Sequence, residues 1–141
     1  MLKNIPKVLS PELVKVLLEM GHGDELVIAD GNYPAASNAQ RLIRQDGLGA
    51  VELLSAILML LPVDTYVDCG MALMSVAEGE DEPIIWEAFH GVFKQSSVEN
   101  KRVEYLERGA FYERGKKAYA ILATGEEALY ANILLRKGVV K

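Results

Sequence analysis

The run Leu26-Val27-Ile28-Ala29 constrains this chain more than any other feature, because it is apolar at four consecutive positions with no polar residue to mark a wet face. A strand with one face in water alternates apolar and polar side chains, whereas a strand covered on both faces has no such need. The run therefore predicts a central strand, and such a strand requires helices packed above and below it.

The flanking sequence supplies those helices. Ser10-Pro11 is a helix start, with the hydroxyl as N-cap and proline in the first turn, and Leu13, Val16, Leu17 and Met20 follow at helical spacing until Gly21. After the turn formers Asp30-Gly31-Asn32-Tyr33-Pro34, Ser37 is expected to cap a short helix carrying Leu42 and Ile43, which Asp46-Gly47 ends. Further on, the patterning predicts helices over 51–61, 84–94 and 110–117, and strands over 71–76, 102–106, 118–123 and 132–136. No repeat or linker interrupts this alternation, so residues 1–141 are expected to form one α/β domain. The expected architecture is a three-layer α/β/α sandwich on a central, largely parallel (mixed) sheet, with ligands bound beyond the strand ends. Asp30 lies at such an end.

Composition narrows the partners. Fifteen basic against twenty acidic residues give a net charge of -5, a field that repels phosphate backbones and anionic lipid, so neither nucleic acid nor membrane is expected as a partner. The longest apolar stretch, 53–63, is interrupted by Ser55 and Pro62 and reaches about half the roughly 20 residues of a membrane helix. The start carries Lys3 and Lys7, but Pro11, Glu12, Lys15 and Glu19 interrupt the apolar run that a signal segment needs. One cysteine, Cys69, forms no intrachain disulfide, and with only His22 and His90 as histidines no metal site is expected; a reducing, cytoplasmic setting follows.

Candidate chemistry centres on His22 in Gly21-His22-Gly23-Asp24, where two glycines let the imidazole project from a loop. An imidazole titrates near neutrality and suits proton transfer. Asp24, Glu25 and Asp30 are close enough in sequence to fix its tautomer or hold a hydroxyl, although Asp24 and Glu25 serve equally well as turn residues. In Tyr130-Ala131-Asn132 an extended backbone would set phenol and amide on one face, suited to a polyhydroxylated ligand, with a core cap and a turn as the alternative. Arg108, Tyr112 and Arg114 near a helix start either contact hydroxyls or form surface ion pairs. Thr124-Gly125-Glu126 lacks the spacing of a nucleotide-binding loop, and His90, among Trp86 and Phe89, is assigned no function.

Taken together, Gly21-His22-Gly23-Asp24-Glu25, Asp30-Gly31-Asn32-Tyr33-Pro34, Phe111-Tyr112-Glu113-Arg114, Thr124-Gly125-Glu126 and Tyr130-Ala131-Asn132-Ile133-Leu134-Leu135 resemble the RbsD/FucU family of sugar mutarotases and pyranases, in order along nearly the whole chain. The Phe-Tyr-Glu-Arg segment preceded by Arg108 is similar to the branch acting on L-fucose. The resemblance implies interconversion of the α and β anomers of L-fucose or a related monosaccharide, with His22 as catalytic acid/base and Asp30, Arg108, Tyr130, Ala131 and Asn132 binding the sugar. It also implies ring-shaped homo-oligomers, commonly decamers, with sites near subunit boundaries, and no cofactor. A D-ribose pyranase working through the same open-chain intermediate is the alternative within the family. A noncatalytic sugar-binding protein assisting uptake is the alternative outside catalysis.

Overall fold

Alternation along every central strand sets the layers. In the computed structural model, which describes residues 1–141, the elements run α1 (Pro11–Glu19), β1 (Glu25–Ala29), α2 (Ala35–Asn38), β2 (Leu42–Gln45), α3 (Ala50–Leu58), β3 (Met71–Met74), α4 (Ile85–Gln95), β4 (Val103–Leu106), α5 (Arg108–Lys117), β5 (Ala120–Thr124) and β6 (Ile133–Arg136). Leu26 and Ile28 of β1 enter a large core with Leu13, Leu53, Ile57 and Phe89, contributed by α1, α3 and α4. Val27 and Ala29 enter a smaller core with Tyr33, Ala35 and Phe111, contributed by the α2 region and α5. Successive side chains of a strand point to opposite faces, so the four-residue apolar run serves two cores at once. Each of its larger side chains, fully buried, contributes about 1.5–3 kcal/mol relative to exposure.

The sheet order is β2-β5-β1-β6-β3-β4. All neighbouring pairs are parallel except the two made by β6, which runs antiparallel to β1 and to β3. This is the largely parallel, mixed sheet between helical layers that the sequence predicts. The reversed strand has a consequence for the site. Its register pairs Glu25 with Arg136 and Ile28 with Ile133, so Arg136 lies at the start of β1 while Asn132 lies at its end, beside Asp30.

The expected α1 is present: the Ser10 hydroxyl accepts from the Leu13 N–H at 3.2 Å, and Leu13, Val16 and Leu17 are buried. The expected helix carrying Leu42 and Ile43 is not. Those residues form β2, with Ile43 inward and Leu42 exposed, paired in parallel with β5. Ser37 sits inside the four-residue α2, where its hydroxyl donates to the Pro34 carbonyl instead of capping. A β2 this short carries too few residues to show a period of two, and only the unfilled edge of β5 draws it into the sheet.

Candidate active site

At the start of β1, α1 ends at Met20 and the chain turns through Gly21-His22-Gly23. The Gly21 N–H donates to Asp24 Oδ2 at 2.7 Å, which makes Asp24 a turn residue. Gly23 has φ +88, the left-handed region that a side chain resists, and a Cβ there would meet the Arg136 guanidinium at 3.2 Å. The loop is fastened on the far side by β6, since Gly23 N–H donates to the Lys137 carbonyl and Lys137 N–H to the Asp24 carbonyl, both at 2.8 Å. Lys137 Nζ also reaches the Leu17 and Met20 carbonyls, placing a cation on the negative end of α1.

His22 finds its carboxylate in neither Asp24, Glu25 nor Asp30. Its Nε2 lies 3.2 Å from Oδ1 of Asp64, a residue 42 positions away on the segment that follows α3. The imidazole is 46% exposed while the Asp64 side chain is 1% exposed, so a half-open ring rests on a buried carboxylate. Asp64 accepts further bonds from the Tyr66 N–H at 2.9 Å and from Arg136 Nε at 3.0 Å. Burial pushes its carboxyl up, but the Tyr66 N–H, Arg136 and His22 outweigh burial and hold it below the usual carboxylate range. The Tyr66 ring stands 5.5 Å from the imidazole. Beyond Arg136 the charges continue: Arg136 lies 3.7 Å from Glu25, which Arg114 binds at 2.8 Å while also pairing with Glu104. Arg114 is thereby an ion-pair residue.

At the other end of β1 a cleft of about 170 Å³ is lined by Asp30, Asn32, Tyr33, Met74, Glu80, Arg108, Tyr112, Leu129, Tyr130 and Asn132. That is smaller than the roughly 300–1,000 Å³ of sites for drug-sized ligands and suits a small polar molecule. Its floor is a reciprocal pair: the Asn132 amide accepts from the Asp30 N–H at 2.8 Å and donates to Asp30 Oδ2 at 2.9 Å. Asn32 N–H donates to Oδ1 at 3.0 Å. Every one of these donors is neutral, and burial pushes the Asp30 carboxyl above its ordinary range despite them. Arg108 is the first residue of α5, exposed at the cleft, with Glu107 capping the helix through the Ala110 N–H. Tyr112, one turn along α5, packs edge-on against Tyr33 at 5.2 Å, and burial pushes the Tyr33 phenol up to about 12.

Tyr130 and Asn132 do line the same cleft, but not through an extended backbone. Tyr130 has φ +56, an uncommon left-handed conformation for a bulky residue, and β6 begins only at Ile133. The Trp86 indole holds that turn by donating to the Tyr130 carbonyl at 3.0 Å, and Ala131 is fully buried beneath it. A hydrogen bond to Glu80, together with burial, pushes the Tyr130 phenol up. Thr124-Gly125-Glu126 is a structural clasp: Thr124 Oγ1 donates to the Ala29 carbonyl at 2.7 Å, and Glu126 accepts from the Ala50 N–H at the start of α3.

The structure thus brings Asp30, Arg108, Tyr130, Ala131 and Asn132 together and leaves His22 apart from them. The five residues of β1, a rise of about 13 Å from Glu25 to Ala29, lie between, so the His22 loop and the cleft stand at opposite ends of one strand. Sequence reasoning missed Asp64, Met74 and Glu80, which stand far from the recognisable segments, and Leu129 and Arg136, which flank the Tyr130–Leu135 segment; none carries a spacing signal of its own.

Known proteins show the same arrangement of sequence. The sequence pattern of the RbsD / FucU transport protein family matches residues 3–140. A Homo sapiens protein named fucose mutarotase is 46% identical over 99% of this chain and 94% of its own length. An L-fucose mutarotase from Actinobacillus pleuropneumoniae serotype 5b is 46% identical over 99% and 97%. Among solved structures, the fucose mutarotase of Streptococcus pneumoniae in complex with L-fucose superposes with a TM-score of 0.96 at 55% identity, covering 99% of this chain and all of that one. Bacillus subtilis RbsD complexed with D-ribose, at 22% identity and a TM-score of 0.75, shares the fold. No helix here is long and apolar enough to cross a membrane. With nearly every residue covered by the family pattern and by relatives well above the level at which fold and ancestry are shared, the chain belongs to the RbsD / FucU family.

Proposed function

We propose that this protein is an L-fucose mutarotase, an isomerase that interconverts the α and β anomers of the sugar by opening and reclosing the ring. The carrying observation is the small cleft floored by the Asp30–Asn132 pair and rimmed by Arg108, Tyr112 and Tyr130, which offers both acceptors and donors to a polyhydroxylated ligand. The names of the relatives support the same sugar.

Ring opening removes a proton from the anomeric hydroxyl, whose bond to C1 becomes the aldehyde carbonyl, and delivers one to the ring oxygen as its bond to C1 breaks. His22 exchanges one of these protons; Tyr130 or a water carries the other. Asp30, Asn132 and Arg108 hold the sugar while the aldehyde turns its other face. Positioned acid/base groups give about 10²- to 10⁴-fold acceleration, which suffices for a reaction that already proceeds slowly in water.

Because His22 and the cleft stand at opposite ends of β1, our reading is that the protein works as a homo-oligomer in which His22 of one protomer completes the cleft of another. This accords with the half-exposed imidazole and with the ring assemblies the family resemblance implies. The lone cysteine fits a cytoplasmic setting.

The test is NMR magnetisation exchange between the anomers of L-fucose and between the ring forms of D-ribose, for wild type and His22→Ala. Acceleration for L-fucose, lost in the variant by about 10²-fold or more, is expected. Faster exchange of D-ribose would move the assignment to the pyranase, and binding without acceleration of either sugar to the uptake protein.

A further inference from the structure

We infer that Asp64 is the positioning residue for His22: it fixes the imidazole with hydrogen on Nε2 and so makes Nδ1 the atom that exchanges protons with the sugar. This rests on the reading of His22 as the acid/base.

The geometry is specific. Asp64 Oδ1 is 3.2 Å from Nε2. The other oxygen, Oδ2, accepts from Arg136 Nε at 3.0 Å, and Oδ1 also accepts from the Tyr66 N–H at 2.9 Å. An ionised carboxylate only accepts, so the ring nitrogen facing it must carry the hydrogen in the neutral and in the charged imidazole alike. In the neutral ring this leaves Nδ1 with its lone pair, on a side chain that is 46% exposed. Asp64 itself stays ionised because Tyr66 N–H, Arg136 and His22 surround it.

The charged groups around the ring agree with this division. Asp24 is occupied by the Gly21 N–H, Glu25 by Arg114 and Arg136, and Lys137 by the end of α1. Lys141 lies over the Tyr66 ring, 5.3 Å from its centre. Asp64 is therefore the carboxylate left to orient His22. When Nδ1 takes the proton of the anomeric hydroxyl, the C1–O bond becomes the carbonyl, the bond from C1 to the ring oxygen breaks, and that oxygen takes a proton from the second carrier. The imidazolium so formed sits against the Asp64 carboxylate until Nδ1 returns its proton on reclosure. A buried carboxylate behind a histidine acts in this manner in other acid/base sites, where its role is orientation and not proton transfer.

Replacing Asp64 by Asn tests the assignment. An amide has one oxygen for the three donors Arg136 Nε, the Tyr66 N–H and His22; the charged Arg136 takes it, and the amide nitrogen turned toward His22 selects the opposite tautomer. The readout is two-bond ¹H–¹⁵N correlation of the imidazole nitrogens at a pH where the ring is neutral, in the full-length protein. With two histidines in the chain, His90→Gln assigns the spectrum. Wild type should show a protonated Nε2 and an unprotonated Nδ1; Asp64→Asn should show the reverse. Its kcat for anomer exchange should fall about 10²-fold with KM changed less than about threefold. Asp64→Glu, which keeps the carboxylate, should retain the wild-type tautomer. Wild type with hydrogen on Nδ1, or an Asp64→Asn protein with unchanged kcat, overturns the inference. Should Asp64→Asn not fold, the wild-type and Asp64→Glu spectra still decide. A wild type that fails to accelerate anomer exchange sinks the mutarotase reading, while the tautomer measurement stands apart from that failure.

Discussion

The two ends of β1 each hold one buried aspartate, and the two are treated oppositely. Asp64 is surrounded by Arg136, His22 and a backbone N–H and is held ionised; Asp30 has only neutral amide donors and is pushed toward its protonated form. For Asp64 the Tyr66 N–H, Arg136 and His22 together outweigh burial, and for Asp30, which has no cation beside it, burial outweighs the amides. The first arrangement suits orienting a base whose charge changes during reaction. The second suits a carboxylate waiting for hydroxyl donors from a neutral sugar, which would lower its pKa on binding.

Separation of the two regions carries the largest expected effect. His22→Ala and Asp30→Ala should each reduce anomer exchange by about 10²-fold or more when pure. Co-assembled in equal amounts, they should recover activity at about a quarter of the sites, since each site then draws its imidazole and its cleft from separate protomers. Kinetics on the mixed oligomer that stay at the level of either pure variant would mean that the two regions do not share a site.

Next in size are stability changes. Asp64→Ala removes the nearer of the two carboxylates beside Arg136, leaving Glu25 at 3.7 Å, and frees the Tyr66 N–H; it should cost about 2–4 kcal/mol in chemical denaturation, below the full cost of a broken buried pair because Arg136 is 35% exposed and keeps Glu25. Asn132→Ala removes the partner of the Asp30 N–H and of Oδ2 while Oδ1 keeps the Asn32 N–H, and should cost about 1–3 kcal/mol. An order reversed between these two would contradict the view that the cation makes the difference.

The pH dependence should split by sign. Asp64 has a folded pKa below its ordinary 3.8, so its contribution is fully present above about pH 4 and is lost as pH falls through the folded value; the gap between wild type and Asp64→Asn should close in acid. Asp30 is raised above 3.8, so its contribution is present below that value and lost as pH rises through the folded pKa. Stability of Asp30→Asn relative to wild type should therefore improve as pH rises from about 3 to about 6. Parallel curves for the two would remove the distinction. Smallest of all, Arg108→Ala should change stability by less than about 0.5 kcal/mol, because the side chain is exposed, while weakening sugar binding measured by calorimetry.

Much of this was legible from residues alone. The four-residue apolar run marked the strand that feeds two cores, and Ser10-Pro11 marked the helix before it. The glycines around His22 marked a real turn, of which Gly23 is the part that needs a left-handed backbone. β2 is a strand where the sequence predicts a helix, because four residues are too few for their period to be distinguished and the sheet edge decides. Tyr130-Ala131-Asn132 supplied the expected side chains through an unexpected backbone, a left-handed turn pinned by Trp86.

The sequence by itself determined the layers and the groups available for chemistry, since periodicity and side-chain type are local properties. Tertiary structure alone decided which groups meet. Antiparallel β6 carries Asn132 to Asp30 and Arg136 to the opposite end, and the segment after α3 brings Asp64 beneath His22 across 42 residues. Strand direction and register are fixed by packing the whole sheet, so no window of sequence could place His22 and Asp30, eight residues apart in the chain, at opposite ends of the sheet.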